Sequence, residues 1–393
     1  MKFLHDLLEK QKPMFEKGGK LEQFYYLFEA GETFLFTPST VTKSKGVQVR
    51  DAVDLKRMMM TVVIALVPAL LFGMWNVGEM HYLSLGEEAS FMDKFLHGLI
   101  ITIPVVLVAY TAGGLVEVAF GVIRKHPINE GFLVTGMLIP LVMPPTIPLW
   151  QVALATVFAV LIAKEIFGGT GMNVLNIALT ARAFLYFTYP GDISGDTVWV
   201  SGAPDSFSGA TFLGLAQAAS NGGVAVTDYI ASGITNFDFS VESLVIGTIP
   251  GSIGETSVIA IGIGAIILLV TRVASFRIMA GTVLGAIAMG LVMQAFAANT
   301  YMSLPFYYHL IAGGFAFGAV FMATDPVSAA HTGAGKWIYG VLIGIMTVII
   351  RVWNPAYPEG IMLAILLMNV MAPLIDYYVV NANKKRRLKR ATV

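Results

Sequence analysis

The sequence contains no cysteine, few charged residues and one long stretch without any basic residue. Because cysteine is absent, this chain forms no disulfide and no cysteine-ligated zinc or iron–sulfur site, so a cluster of that kind would have to lie on a partner. Charged residues are only 13% of the chain, whereas they make up about a quarter of an average soluble protein. An ordinary soluble enzyme is therefore excluded.

Apolar residues, in contrast, account for 56% of the 393 positions. They occur in runs of about twenty residues, the length that a helix needs to cross about 30 Å of hydrocarbon. The sequence thus predicts an all-α polytopic membrane protein surrounded by membrane lipid. Its net charge is zero, and no nucleic-acid partner is expected.

The apolar runs predict about ten transmembrane helices. They cover residues 58–77, 95–120, 132–144, 150–166, 174–189, 257–273, 278–296, 307–324, 337–352 and 359–375. The loops that this path places inside are basic, and Lys94 is the only basic loop residue left outside, as expected when positive residues are retained in the cytoplasm. Both termini are therefore predicted to be cytoplasmic.

These spans divide the chain into five regions. They are a cytoplasmic N-terminal segment (1–57), a first membrane repeat (58–189), an extracytoplasmic loop (190–256), a second membrane repeat (257–376) and a basic cytoplasmic tail (377–393). The first region is polar and mixed in charge, so no cleavable signal peptide is visible.

Two similar stretches suggest that the membrane regions are repeats. Proline-containing residues 143–148 follow the third span, and residues 322–328 follow the eighth. The third span starts inside and the eighth outside, which predicts two inverted five-helix repeats with broken helices. Such a design places polar sites between the halves. The simpler alternative is that glycine and proline are frequent in membrane helices.

The loop between the repeats carries a motif that stands out. No lysine or arginine occurs from Ala183 to Thr271, so this loop is predicted to face the periplasm.

The motif consists of Asp205 followed, three residues later, by Ser208-Gly209-Ala210-Thr211. A bulky phosphoryl donor can modify the Thr211 hydroxyl only if it reaches it, and Gly209 and Ala210 leave the backbone open on one side. Asp205 and Ser208 offer an acceptor and a donor near the hydroxyl. Taken alone, an ordinary polar turn explains these residues as well.

Asp-x-x-Ser-Gly-Ala-Thr resembles the flavinylation motif of the sodium-pumping NADH:quinone oxidoreductases and the related Rnf complexes. Strings at residues 125–132, 250–256 and 313–328 are similar to the same membrane component, so the resemblance covers nearly the whole chain. It implies that a flavin transferase esterifies Thr211 to the phosphate of FMN, in a bacterial inner membrane and alongside other subunits of a redox complex. The long N-terminal segment resembles the B-type membrane component of the sodium-pumping enzymes more than the shorter D-type component of Rnf complexes.

A Gly-Gly-x-x-Glu motif, Gly113, Gly114 and Glu117, lies near the inner end of the second span. Acidic groups within spans usually face a cavity, a partner or an ion path, and paired glycines let another surface approach closely. From physics alone, an interfacial Glu117 paired with Arg124 or Lys125 explains the motif equally well. The resemblance implies a quinone and inhibitor site at these residues and sodium uptake at Glu117.

Residues 168–176 open the fifth span, where Asn173 and Asn176 are expected about one turn apart on one helix face. Exposed amides at a helix start suit an anionic or carbonyl-rich ligand, and a capping role for Asn173 is the simpler alternative. The resemblance implies a non-covalent riboflavin in this protein, and we expect Asn173 and Asn176 to contact it.

Asp376, at the inner end of the last span, resembles a family aspartate implicated in sodium entry. Carboxylate oxygens suit a hard cation, but one acid is not a coordination sphere, and a solvated carboxylate is an equal alternative. Asp325 follows the eighth span, where it could cap a helix or line a passage. Arg182 and Arg351 lie within spans and need partners that the sequence does not name.

The predicted function is therefore that of a membrane component of a sodium-pumping NADH:quinone oxidoreductase, passing electrons from covalent FMN via riboflavin to quinone and coupled to Na⁺ export. Three alternatives stay open. The chain could be the D-type component of an Rnf ferredoxin:NAD oxidoreductase, a redox-silent channel or transporter on the same inverted plan, or a structural anchor for catalytic partners.

Overall fold

The computed structural model describes residues 2–16, 18–36, 46, 55–125, 131–205, 207–231, 237–354 and 357–391. Within these ranges the regular structure is entirely helical, which confirms the all-α class. The α-helices are α1 Lys2–Phe15, α2 Tyr25–Leu35, α3 Leu55–Leu85, α4 Phe91–Arg124, α5 Gly131–Leu141, α6 Leu149–Ala159, α7 Ile177–Thr188, α8 Pro190–Ile193, α9 Phe212–Asn221, α10 Val226–Ala231, α11 Val241–Ile246, α12 Val258–Val270, α13 Phe276–Ala295, α14 Phe306–Ile311, α15 Phe315–Phe317, α16 Gly333–Trp353 and α17 Ile361–Ala391. Most of residues 37–54 and most of one family-like string, at residues 126–130, lie outside the described residues.

Five helices of the described chain, α3, α4, α13, α16 and α17, are long and apolar enough to cross a membrane. The third, fifth and sixth predicted spans correspond to shorter apolar helices, α5, α7 and α12. The fourth is α6 continued by a π-helix at Val160–Glu165, and the eighth is split into α14, α15 and a π-helix at Gly318–Met322. The polytopic class is confirmed, whereas the count of ten spans stays a prediction.

The two halves repeat the same order of packing. In the first half α4 packs on α6, α6 on α7 and α5 on α7. In the second, α13 packs on α16, α16 on α17 and the π-helix Gly318–Met322 on α17. Contacts of α3 with α12 and of α7 with α17 join the halves. This correspondence fits the predicted repeat, and the opposite orientation of the halves stays a prediction.

The tightest helix pair is α13 with α16. A Cβ placed on Gly285 would overlap the backbone of Val341, and one placed on Gly344 would overlap the backbone of Thr282. Small residues are needed at such an interface because lipid-embedded helices associate through close backbone packing.

The loop predicted at 190–256 contains the short helices α8 to α11, and its last part is buried against the broken third span. The backbone N–H of Ile253 donates to the Met143 carbonyl (3.1 Å), and that of Gly254 donates to the Leu141 carbonyl (2.8 Å). Those carbonyls belong to the end of α5 and the break that follows it. The loop therefore satisfies helix-end groups that would be costly to leave unpaired within a membrane.

Candidate functional site

Thr211 is the N-cap residue of α9. The backbone N–H of Gly214 donates to the Thr211 Oγ (3.3 Å), and the neighbouring Phe212 and Leu213 are buried. Threonine at an N-cap satisfies one of the N–H groups that a helix start leaves free. The hydroxyl is thus held at the positive end of a ten-residue helix, with its side chain partly buried.

The rest of the motif is arranged differently from the expectation. Ser208 donates a long hydrogen bond to Asp196 (3.4 Å), and Asp205 is exposed. The prediction that Gly209 leaves the backbone open was wrong, because a Cβ there would lie 2.9 Å from the Val200 side chain. Gly209 instead allows close packing and donates its N–H to the Asp196 carbonyl (2.8 Å).

Thr211 borders a cavity of about 410 Å³, within the range of small-molecule sites. Ser208 and Ala210 line it together with Thr211, so three residues of the motif meet there. The remaining wall is aromatic and charged, formed by Tyr186, Trp199, Tyr357, Arg182 and Glu359 among others.

Arg182 lies at the base of this cavity and is almost completely buried. Its guanidinium donates to Ser252 Oγ (3.0 Å), Glu255 Oε2 (3.2 Å), Glu359 Oε2 (2.5 Å) and the carbonyl of Val142. One cation therefore serves two carboxylates. The sequence could not supply these partners, because Glu255 and Glu359 are 73 and 177 positions away from it.

Arg351 is also fully buried and is satisfied by backbone carbonyls. It donates to Glu359 O (2.8 Å), His309 O (2.6 Å) and Ala312 O (2.9 Å). Ala312 lies in the break between α14 and α15. The second membrane arginine therefore holds a broken helix together.

Glu117 pairs with Lys164, and both side chains are buried. The alternative that paired Glu117 with Arg124 was wrong, because Arg124 contacts Glu165 instead (3.4 Å to Oε2). Lys164 and Glu165 lie in the π-helix that ends the fourth predicted span. Sequence reasoning missed Lys164, since a basic residue at a span end ordinarily points its charge toward water.

The two glycines of the second motif have unequal surroundings. A Cβ on Gly113 would overlap the ring of Phe132, whereas one on Gly114 would lie 3.9 Å from that ring. Gly113 is buried and Gly114 is partly exposed on α4. A ligand can therefore approach Gly114, while Gly113 is required by packing.

Asn173 and Asn176 line a second pocket, of about 100 Å³, between the two halves. Neither lies inside a helix, so the expectation of one shared helix face was wrong, and so was the alternative that Asn173 is the cap. Asn176 caps α7 by accepting from the Leu179 N–H (3.1 Å), and Asn173 donates to the Leu175 carbonyl (3.1 Å). Lys164 and Asp325 line the same pocket.

Asp376 and Asp325 each bind backbone at helix starts or turns. Asp376 accepts from the N–H groups of His331 (2.6 Å) and Thr332 (3.0 Å) and from the Thr332 hydroxyl (2.5 Å), at the start of α16. Asp325 accepts from Val327 N–H (3.1 Å) and Ser328 Oγ (2.7 Å). Glu117 and Asp376 thus belong to separate networks. Among the described residues, no group of three or more acidic or histidine side chains is arranged to hold a metal ion.

An all-helical multi-pass membrane protein, with an aromatic cavity at a capped threonine and a polar pocket between two packed halves, is the class that the fold and these sites define. The sequence matches the NQR2, RnfD, RnfE family over residues 42–385, and the chain belongs to that family.

Named relatives resemble the chain along its whole length, and all three described here are B-type subunits of a Na(+)-translocating NADH-quinone reductase. The chain is 50% identical over 408 residues to the one from Ectopseudomonas mendocina (strain ymp), with 98% of both chains covered. It is 49% identical over 418 residues to the one from Klebsiella pneumoniae (strain 342), covering 98% of this chain and 99% of that one. The relative from Pseudomonas aeruginosa (strain LESB58) is 48% identical over 412 residues, again with 98% of this chain and 99% of that one covered.

Proposed function

We propose that the chain is the B-type membrane subunit of a sodium-translocating NADH:quinone reductase in a bacterial inner membrane, with covalent FMN on Thr211, bound riboflavin and quinone as its redox groups and Na⁺ export as the coupled process. The termini are then cytoplasmic and the Thr211 loop periplasmic. Flavins supply one- and two-electron chemistry, while the protein sets their position, electrostatics and access. The single observation that carries the proposal is the position of Thr211 at a helix start beside a cavity of cofactor size.

A phosphate esterified to Thr211 would lie at the N-terminus of α9. N–H groups of the first helical turn and the positive end of the helix dipole stabilise an anion at this position. The local fold therefore suits a phosphate ester.

The cavity beside Thr211 fits the ring system of a flavin in size and chemistry. Its volume is about 410 Å³, and Tyr186, Trp199 and Tyr357 present aromatic surface. Arg182 supplies a buried positive charge, held in place by Glu255 and Glu359. Charged groups next to a flavin ring are among the means by which a protein tunes its electronics.

Riboflavin fits the inner pocket only in part. Asn173 and Asn176 offer amide groups, and Lys164 offers a charge. However, the pocket measures about 100 Å³, below the roughly 300 Å³ at which small-molecule sites begin. Binding there requires the α5–α7 and α12–α15 segments to separate.

Quinone is proposed to approach α4 at Gly114, with Gly113 and Glu117 behind it. Gly114 leaves open surface, and the buried Glu117–Lys164 pair lies one helical turn further along α4. Lys164 also lines the inner pocket, so this pair connects the two proposed sites. Glu117 and Asp376 are proposed to lie on the Na⁺ path, where each would have to exchange its present partner for the ion.

The test is flavin fluorescence of the denatured chain on a gel, in the complex made together with its flavin transferase. Thr211→Ala should abolish the fluorescent band and Thr211→Ser should keep it, because only the hydroxyl is esterified. Thr227→Ala, an exposed threonine of the same loop, is the matched control and should stay fluorescent. Fluorescence that survives in Thr211→Ala would refute the attachment site.

An Rnf-type role is less well supported, because the relatives that match almost the full chain are named as B-type subunits of the reductase. A redox-silent transporter predicts a chain that carries no flavin, and the same gel decides between a flavoprotein and such a transporter.

A further inference from the structure

A basic cavity lies next to the inner pocket and plays no part in the proposed redox function. It measures about 420 Å³ and forms where α12 ends and where α13 and α16 begin. Its wall contains four basic residues, Arg272, Arg277, His331 and Lys336. Such a cluster at the predicted inner face contrasts with the outer loop, which has no lysine or arginine.

The positive charge of this cavity is not neutralised by ion pairs. Arg272, Arg277 and Lys336 form none within the described part of the chain. Asp325 is the one carboxylate in the wall, and both of its oxygens accept hydrogen bonds from Val327 and Ser328. Three permanent cations therefore face one carboxylate, and the cavity attracts anions.

Two helix starts add to this attraction. The first turn of α13 lines the cavity, and its N-cap residue Ser275 makes no side-chain capping bond. The α13 helix is twenty residues long, so its free N–H groups and dipole favour a negative charge there. At α16 the carboxylate of Asp376 already occupies the neighbouring N–H groups, which shows that an oxyanion suits this end of the bundle.

The flank of the cavity is apolar and exposed. Ile266 and Val270 on α12 are 62% and 76% exposed, and Phe276 at the start of α13 is 62% exposed. Large apolar side chains exposed on membrane helices face lipid chains. A polar, positive cavity with an apolar flank matches the shape and chemistry of an anionic lipid, whose headgroups bind in basic pockets between membrane helices on the cytoplasmic side.

We propose that the cavity lined by Arg272, Arg277 and Lys336 binds the phosphate of an anionic phospholipid, with its acyl chains lying along Ile266, Val270 and Phe276. This site is separate from Thr211 and does not depend on the redox function. Free inorganic phosphate shares the headgroup chemistry but lacks the acyl chains, so the two can be told apart.

The experiment uses the assembled complex, stripped of lipid and titrated with phosphatidylglycerol or phosphatidylcholine in detergent, with bound lipid counted by native mass spectrometry. Wild type should retain phosphatidylglycerol at a saturable site, and Arg277→Gln/Lys336→Gln should weaken it about 30-fold, since two basic residues of an anionic-lipid contact are lost. Arg386→Gln/Arg387→Gln, in the exposed end of α17, removes the same charge elsewhere and should change binding less than about threefold.

If the double variant does not assemble, the single variants Arg277→Gln and Arg277→Lys replace it, and only the second should keep the lipid. Equal phosphatidylglycerol binding by wild type and the charge-removing variants overturns the proposal, as does equal binding of phosphatidylcholine. Displacement of the lipid by millimolar inorganic phosphate would overturn it by assigning the cavity to a free anion. Loss of a partner subunit from the variant complex with unchanged lipid would overturn it by assigning the cavity to a protein contact.

Discussion

The cavity at Thr211 and the pocket at Asn173 and Asn176 differ in size and in how the chain builds them. The outer cavity measures about 410 Å³ and the inner pocket about 100 Å³. The outer motif is local, because Ser208, Ala210 and Thr211 are nearly consecutive. The inner pocket instead draws its wall from both membrane halves, from Met58 on α3 to Val327 after the second π-helix.

This difference suggests different roles for the two sites. An open cavity beside a capped hydroxyl allows a maturation enzyme to deliver a bulky group. A small pocket between two halves changes its volume whenever the halves move, because it has walls on both. Coupling of ion movement to redox state needs an element with two arrangements, and the inner pocket is the better candidate for it.

The largest effect is expected from the buried arginine of the outer cavity. Arg182→Met leaves Glu255 and Glu359 without their cation, and breaking a buried pair costs about 3–5 kcal/mol. The free energy of unfolding should fall by at least that amount because two carboxylates are affected. Thermal unfolding of the purified complex measures it, with the exposed Arg277→Met as control. A melting temperature like that of the control would contradict the network.

The inner pair should respond less, because only one carboxylate is left alone. Lys164→Met should lower the free energy of unfolding by about 3 kcal/mol, the lower end for a broken buried pair. Glu117→Gln/Lys164→Met should recover much of this loss, since the uncompensated charge is gone. Additive losses in the double variant, measured by the same thermal unfolding, would show that the two side chains do not interact.

The two glycines on α4 separate packing from ligand access. Gly114→Val has room and should raise the quinone KM or change inhibitor sensitivity several-fold, with little loss of assembled complex. Gly113→Val must displace the Phe132 ring, which costs about 1–3 kcal/mol as overpacking does, and should lower the yield of complex. Steady-state quinone kinetics and yield measure the pair. Unaltered quinone kinetics in Gly114→Val would mean that quinone binds elsewhere.

The smallest effect is expected at Ser208. Its bond to Asp196 is long, at 3.4 Å, so Ser208→Ala should cost less than about 1 kcal/mol and leave flavin attachment in place. Loss of the fluorescent band in Ser208→Ala would mean that this hydroxyl takes part in attachment.

The same contrast explains what could be predicted from the sequence. Hydropathy runs locate most helices and Thr211 lies in a recognisable string, because both signals are local. The partners of Arg182 and Glu117 are not local, and a sequence without structure cannot pair them. Lys164 was missed for a further reason: the π-helix Val160–Glu165 turns it inward, and a one-turn π segment has no clear sequence signal.

Local rules also misplaced some residues inside short segments. Asn173 and Asn176 have helical spacing, but α7 begins only at Ile177, so Asn176 is the cap. Gly209 was interpreted as a conformational device, whereas Val200, nine residues earlier in the chain, fills the space where a side chain would be.

The central claim is that Thr211 carries FMN at the start of α9. The most direct measurement is the mass of the proteolytic peptide that contains Thr211, from protein made together with its flavin transferase. We expect a peptide heavier by FMN less one water, with fragment ions that place the addition on Thr211. An unmodified threonine in that peptide would contradict the claim.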